Sequence, residues 1–202
     1  MENNFYLIGV GGQGVISLGQ ILADYALEEG ERVKFFKEVG MAQRGGPAHS
    51  EVRMGEVFGS RIPPLSADLV VVMELAEGLK TLELVKPGGM VILNKKKIYP
   101  LDLMVHSEKY PKEEEIAYLF EEAGARLFWI DAGEIANEVG LPLAENIVLL
   151  GVITYLASLD KEIILAVLKK NIPYEVEKNM AAFDRGYKIA EENIAEKEKG
   201  EA

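Results

Sequence analysis

The chain of 202 residues contains no cysteine. Disulfides, zinc–thiolate centres and cysteine-ligated iron–sulfur clusters are therefore excluded from it. Positive charge is scarce: 22 Lys and Arg stand against 33 Asp and Glu, a formal net charge of -11. That excess argues against duplex DNA or an anionic membrane as the main partner, while leaving room for a local basic patch around an anion. The start, Met1-Glu2-Asn3-Asn4, lacks the basic stretch of a secretory leader. The longest apolar run, Ile147 to Leu159, is interrupted by Thr154 and Ser158 and is too short to cross a bilayer. The expectation is a cytoplasmic protein with neither nucleic acid nor membrane as partner. Repeats and linkers are also missing. With 49% apolar residues the chain reads as one folded domain, 1–202, with a charged tail from about residue 196.

Phe5 to Val10 is a continuous apolar run, the pattern of a strand buried on both faces. The glycines that follow give way to Val15, Leu18, Leu22 and Ala26 at helical spacing, ended by Gly30. Arg32 to Phe36 reads as a second strand, so strand–helix–strand predicts the start of a parallel sheet with a right-handed crossover. Lys37 to Pro47 has no period and reads as a long loop. "HSEVRMGEVFGSR" alternates and turns at Gly55-Glu56, which predicts an antiparallel hairpin. Further strands are expected at Asp68 to Met73, Met90 to Asn94 and Arg126 to Ile130. Helices are expected at Ala76 to Val85 and Pro111 to Ala123, with a turn at Lys86-Pro87-Gly88-Gly89. Asp131 is placed to cap the helix that follows it. The last third is helical: Asn146 to Leu159 is almost wholly apolar, and Asp160 is placed to cap Lys161 to Lys170. After Pro173, a stripe of Val176, Met180, Phe183, Tyr187, Ala190 and Ile194 follows. The fold class is α/β, a Rossmann-like three-layer domain with a mostly parallel sheet, an antiparallel hairpin and a helical C-terminal third.

Two loops carry the chemistry. In Gly9-Val10-Gly11-Gly12-Gln13-Gly14 a strand turns sharply into a helix whose first N–H groups point outward. Without side chains there, an anion can approach the backbone. Gly9 makes the turn, Gly11 admits the ligand and Gly14 allows close helix–strand packing. NAD binding also calls for an acidic residue at the end of the second strand, about twenty residues on. Lys37 stands there instead, with Glu38 one residue later. A nicotinamide site and a turn that binds nothing both stay open at this level. In the second loop, "GMAQRGGPAHSEVR", Arg44 is followed by two glycines, so guanidinium and bare backbone can meet an anion together. At the carboxyl edge of an open sheet the two loops are expected to face the same space.

The pair "GVGGQG" and "EVGMAQRGGPAHSEVR" resembles the gamma-type domain of 2-oxoacid:ferredoxin oxidoreductases, and its glutamine-arginine-diglycine form resembles the indolepyruvate branch. "ADLVVVMELAEGLKTLELVKPGGMVILN", "YPKEEEI", "DAGEIANEVG", "NIVLLGV" and "NMAAFDRGYKIA" follow in the family's order, so the resemblance spans roughly residues 5 to 195. It implies oxidative decarboxylation of aryl pyruvates to acyl-CoA, with carbon dioxide and reduced ferredoxin as the other products. Coenzyme A is then the co-substrate and ferredoxin the electron acceptor. Thiamine diphosphate, Mg2+ and 4Fe–4S clusters are implied for a larger catalytic alpha subunit, with no cofactor bound by this chain alone. The missing cysteine and the missing Gly-Asp-Gly run ahead of an asparagine agree with that division.

Carried over residue by residue, the resemblance points to Gly11, Gly12, Gln13 and Gly14 as a backbone anion site, with an amide hydrogen bond from Gln13. Met41, Gln43, Arg44, Gly45 and Gly46 are expected to form the facing loop, with Arg44 on a diphosphate or a substrate carboxylate. Glu74 and Asn94 end buried strands at the carboxyl edge, and Asn146 starts a buried helix, where it caps or reaches the crevice. His49 reads either as a strand-start residue or as a proton carrier, and His106 has no visible partner. Beside this stand a gamma subunit of a pyruvate or 2-oxoglutarate enzyme, a free-standing NAD(P)-dependent enzyme and a nucleotide-sensing module.

Overall fold

The computed structural model describes residues 2–40, 46–98 and 110–200, with side chains to residue 196. The chain forms two compact units, Met1–Asp131 and Ala132–Ala202.

The first unit is built on β1 (Asn3–Val10), α1 (Val15–Glu28), β2 (Val33–Val39), β3 (Pro47–Met54) and β4 (Ala67–Val72). A single helical turn, α2 (Leu75–Gly78), leads on to β5 (Val85–Asn94), α3 (Glu113–Glu122) and β6 (Arg126–Ile130). The six strands lie in the order β2-β3-β1-β4-β5-β6. β1, β4, β5 and β6 run parallel, whereas β3 is antiparallel to both β1 and β2. The parallel strands are the continuous apolar runs, as sheets covered on both faces require. On one face Tyr6, Ile8, Val70, Val72, Val91 and Leu93 pack with Ile116 and Phe120 of α3. On the other, α1 lies over β3 and β2, close enough that a Cβ on Gly19 would sit 2.4 Å from Ser50 Oγ. That hydroxyl donates to Val15 O at 3.2 Å.

Several expectations need correction. β2 runs in the direction of β1 but is not its neighbour, because β3 is inserted between them. The antiparallel hairpin joins β2 to β3 across residues 40–46, with Val39 opposite Ala48 and Val33 opposite Met54. At the expected turn Gly55 only ends β3, with φ +96° and its N–H on Arg32 O at 2.9 Å. The helix expected over Ala76–Val85 is one α-turn plus a 3-10 turn, Leu79–Thr81, and Val85 already belongs to β5. Lys86 to Gly89 makes an irregularity inside β5, where the register with β4 shifts between Ala67 and Leu69.

The second unit is helical: α4 (Ala132–Glu138), α5 (Glu145–Leu156), α6 (Lys161–Asn171) and α7 (Val176–Gly200). Isoleucines, leucines and valines on every face of α5 are buried, as an all-apolar helix demands. α5 and α7 cross backbone to backbone. A Cβ on Gly151 would lie 2.1 Å from Phe183 O, and one on Gly186 would lie 2.0 Å from Val148 O. Asp160 caps α6 as expected, accepting from Ile163 N–H at 3.1 Å. α7 continues through the charged tail to Gly200.

Candidate functional site

Three chain segments converge at the carboxyl edge of β1, β4 and β5. The glycine turn follows β1. Gly12 has φ +104° and Gly14 φ 78°, backbone conformations that exclude most side chains. Gly9 is glycine for another reason: a Cβ there would lie 2.6 Å from Gln13 Oε1 and 3.0 Å from Met73 Cβ. Among the described residues a Cβ on Gly12 would meet nothing within 4 Å, so none of them closes that side of the turn. α1 begins at Gly14 with no side-chain cap and no acidic residue in its first turn. Its leading N–H groups are thereby left to a ligand or to water.

The side chain of Gln13 does not point to that open side. Its Oε1 accepts from Val10 N–H at 2.9 Å, and its Nε2 donates to Met73 O at 2.8 Å. The amide expected to reach an anion is instead spent inside the protein, tying the turn to the end of β4. Asn94 is fully buried and donates to the same Met73 carbonyl at 3.1 Å. Met73 N–H in turn donates to Ile8 O at 2.8 Å.

Glu74 is also fully buried. One carboxylate oxygen caps α2 by accepting from Glu77 N–H at 3.0 Å. The other accepts from Ile98 N–H at 3.1 Å and from the Tyr110 hydroxyl. Burial pushes the Glu74 carboxyl above its usual range, opposed by these hydrogen bonds, Tyr110 foremost. Burial and the neighbouring Glu74 raise the Tyr110 phenol as well. Glu74 is thus a buried anchor at the carboxyl edge.

The second loop meets the first at its described end. Gly11 N–H donates to Gly46 O at 2.8 Å, and Gly40 N–H closes the loop onto Pro47 O at 2.8 Å. The reason for the juxtaposition differs from the expected one: the antiparallel β3, starting at Pro47, lies beside the end of β1, with Val10 opposite Pro47. Met41, Gln43, Arg44 and Gly45 lie outside the described residues, as does His106. Asn146 is buried as the second residue of α5, and the N-cap position belongs to Ala144, so Asn146 does not cap the helix.

His49 projects from β3 on the face opposite Ser50. Its ring stacks on Tyr6 with centroids 5.3 Å apart. Nε2 has no hydrogen-bond partner among the described residues and stands 3.6 Å from Glu51 Oε1 and 3.8 Å from Glu38 Oε2. Glu51, nearly inaccessible, is paired to Arg61 Nε at 2.7 Å. Burial, with Glu51 next, pushes the Tyr6 phenol up to about 12. The sequence reading missed this charged group and the Met73 carbonyl. The alternation of β3 could have paired His49 with Glu51, but a main-chain carbonyl leaves no mark in a sequence. Among the described residues no three His, Asp or Glu side chains gather to hold a metal ion, and no helix is long and apolar enough to cross a membrane.

Residues 4–189 match the family described as pyruvate ferredoxin/flavodoxin oxidoreductase. The chain belongs to this family. It is 36% identical over 196 residues to the indolepyruvate oxidoreductase subunit IorB of Methanothermobacter thermautotrophicus, covering 96% of this chain and 100% of that one. With subunit IorB of Pyrococcus horikoshii it shares 34% identity over 198 residues, 96% of this chain and 98% of the other. The crystal structure of the gamma subunit of a keto/oxoacid ferredoxin oxidoreductase from Geobacter sulfurreducens has the same fold. There the TM-score is 0.68 at 22% identity, over 93% of this chain and 98% of that one. The α/β, Rossmann-like class with a helical last third is the observed one.

Proposed function

We propose that this chain is the small subunit of a thiamine diphosphate- and ferredoxin-dependent oxidoreductase of the indolepyruvate branch. The complex oxidatively decarboxylates aryl pyruvates. The carbon–carbon bond to the carboxylate breaks, the acyl group passes to the thiol of coenzyme A, and the electrons go to ferredoxin. The observation that carries this reading is the 36% identity to an IorB subunit along 96% of the chain. The family match from residue 4 to 189 runs through both compact units, which supports their acting as a single domain.

What this chain brings is a surface for negative charge. A chain with no cysteine has no thiolate to hold a 4Fe–4S cluster. It also lacks the Gly-Asp-Gly run expected for Mg2+ and thiamine diphosphate, so the residues present do not fit either group and a larger alpha subunit holds both. The open face of Gly12, the uncapped start of α1 and the Arg44 loop tied on through Gly46 suit the diphosphate of coenzyme A or a 2-oxoacid carboxylate. Such a cradle orients and neutralises, while the bond-making groups lie on the partner. The proposed setting is the cytoplasm.

A tagged copy of this chain, expressed in its native host and purified without oxygen, tests the assembly. The expected result is a complex with one larger, cysteine-bearing polypeptide that carries iron and thiamine diphosphate. Recovery of the chain alone, with tight nicotinamide binding, would overturn the reading.

A further inference from the structure

We infer that Gln13 is a positioning residue, which fixes the direction of the Gly11 N–H and thereby the joint between the two loops; its link to turnover rests on the function proposed above. Residue 13 holds the two peptide groups that flank Val10. Val10 N–H is held by the Gln13 side chain at 2.9 Å, and Val10 O accepts from Gln13 N–H at 3.2 Å. The Gln13 side chain thus fixes the Gly9–Val10 peptide, while the Gln13 main-chain N–H holds the carbonyl of the Val10–Gly11 peptide. Each peptide is planar, so the two holds on either side of Val10 together set where Gly11 N–H points. It points at Gly46 O, 2.8 Å away.

The other end of the Gln13 amide is equally constrained. Met73 O receives Gln13 Nε2 at 2.8 Å and Asn94 Nδ2 at 3.1 Å, which occupies both lone pairs of the carbonyl. Met73 N–H is on Ile8 O at 2.8 Å. Val10 N–H, the Gln13 amide, Met73 and Ile8 O therefore close a ring of hydrogen bonds between β1 and β4, directly below the glycine turn. Only one orientation of the Gln13 amide serves this ring, oxygen toward Val10 and nitrogen toward Met73. Glutamate has the same shape but sets an acceptor against the Met73 acceptor. The side chain also fills the space a Cβ on Gly9 would need, 2.6 Å from Oε1. Gln13 thus acts on a ligand only through the backbone it holds.

Amide hydrogen exchange of the full chain, read by NMR, tests this without any ligand. Gln13→Glu is expected to speed exchange at Gly11 about tenfold while Leu7, inside β1, stays protected. Asn94→Asp, which removes the second donor to Met73 O, is expected to act in the same direction with a smaller effect, and it serves if Gln13→Glu fails to fold. Unchanged exchange at Gly11 in both variants would overturn the inference. In the complex with the larger subunit, Gln13→Glu is expected to raise KM for coenzyme A about fivefold or more with kcat within about twofold. A fall in kcat at constant KM would contradict a positioning role. A wild-type complex that does not turn over at all would sink the proposed function and leave the exchange result to stand by itself.

Discussion

Gly11 and Gly46 are joined by an N–H···O bond of 2.8 Å that ties the glycine turn to the loop carrying Arg44. The bond is possible because β3 runs antiparallel beside β1, so that the start of one meets the end of the other. The proposed anion cradle is therefore a product of the inserted strand as much as of the glycines. A plain strand–helix–strand unit has the turn but no strand start beside it to accept the Gly11 N–H.

Gly12→Ala separates the two demands on that turn. Its φ of +104° makes any side chain strained, although a Cβ would touch nothing within 4 Å among the described residues. The expected stability loss is about 1–2 kcal/mol, or a Tm lowered by about 3–6 °C in thermal denaturation. The methyl group would project to the open side, so KM for coenzyme A in the complex is expected to rise by more than that stability loss accounts for. An unaltered KM would remove Gly12 from the ligand's path.

At the α5–α7 crossing the constraint is steric. Adding one methyl group to Gly151 or Gly186 brings carbon within about 2 Å of facing backbone, which cannot rotate out of the way as a side chain can. Gly186→Ala is expected to cost about 3 kcal/mol, at the upper end for overpacking, measured by urea unfolding followed through the helical signal. A loss under about 0.5 kcal/mol would show that the helices part easily.

Burial holds the Glu74 carboxyl above its usual range, so in the folded state it keeps its proton to higher pH than in the unfolded chain. Between the usual carboxylate range and that raised value the folded state binds more protons. The stability due to this group is full below the window and is lost as pH rises through it. Wild type is therefore expected to lose stability relative to Glu74→Gln as pH rises through the window, in urea titrations of both from pH 4 upward. A difference that stays flat, or a wild type that gains stability on Glu74→Gln as pH rises, would contradict the assignment.

Much of the fold was legible because buried parallel strands announce themselves. "FYLIGV" and "DLVVVM" are apolar on both faces, and the capping role of Asp160 follows from its place before Lys161. The insertion of β3 was not legible: an alternating strand pairs equally well with the segment after it or with one earlier in the chain, and only the assembled sheet decides. The short α2 was misread as a longer helix because Leu79 and Leu82 keep helical spacing while the chain is already turning toward β5. Within the site, a glycine turn could be foreseen, but not which glycines take positive φ. The sequence pattern assigns the turn to Gly9, whereas Gly12 and Gly14 adopt φ > 0 and Gly9 is held by close packing on Gln13 and Met73. The destination of the Gln13 amide could not, because both of its partners are main-chain atoms. Burial of Glu74 and Asn94 follows from the ends of buried strands, but their partners, Tyr110 and Met73, come from elsewhere in the chain.

The central claim is that this chain supplies a cradle for negative charge while the redox chemistry belongs to a larger subunit. Viologen reduction with indolepyruvate and coenzyme A tests it most directly, assayed for this chain alone, the larger subunit alone and the two together. The account expects turnover only from the reconstituted complex, with KM for coenzyme A raised by Arg44→Ala. Turnover of a 2-oxoacid by this chain by itself, or a larger subunit equally active without it, would contradict the account.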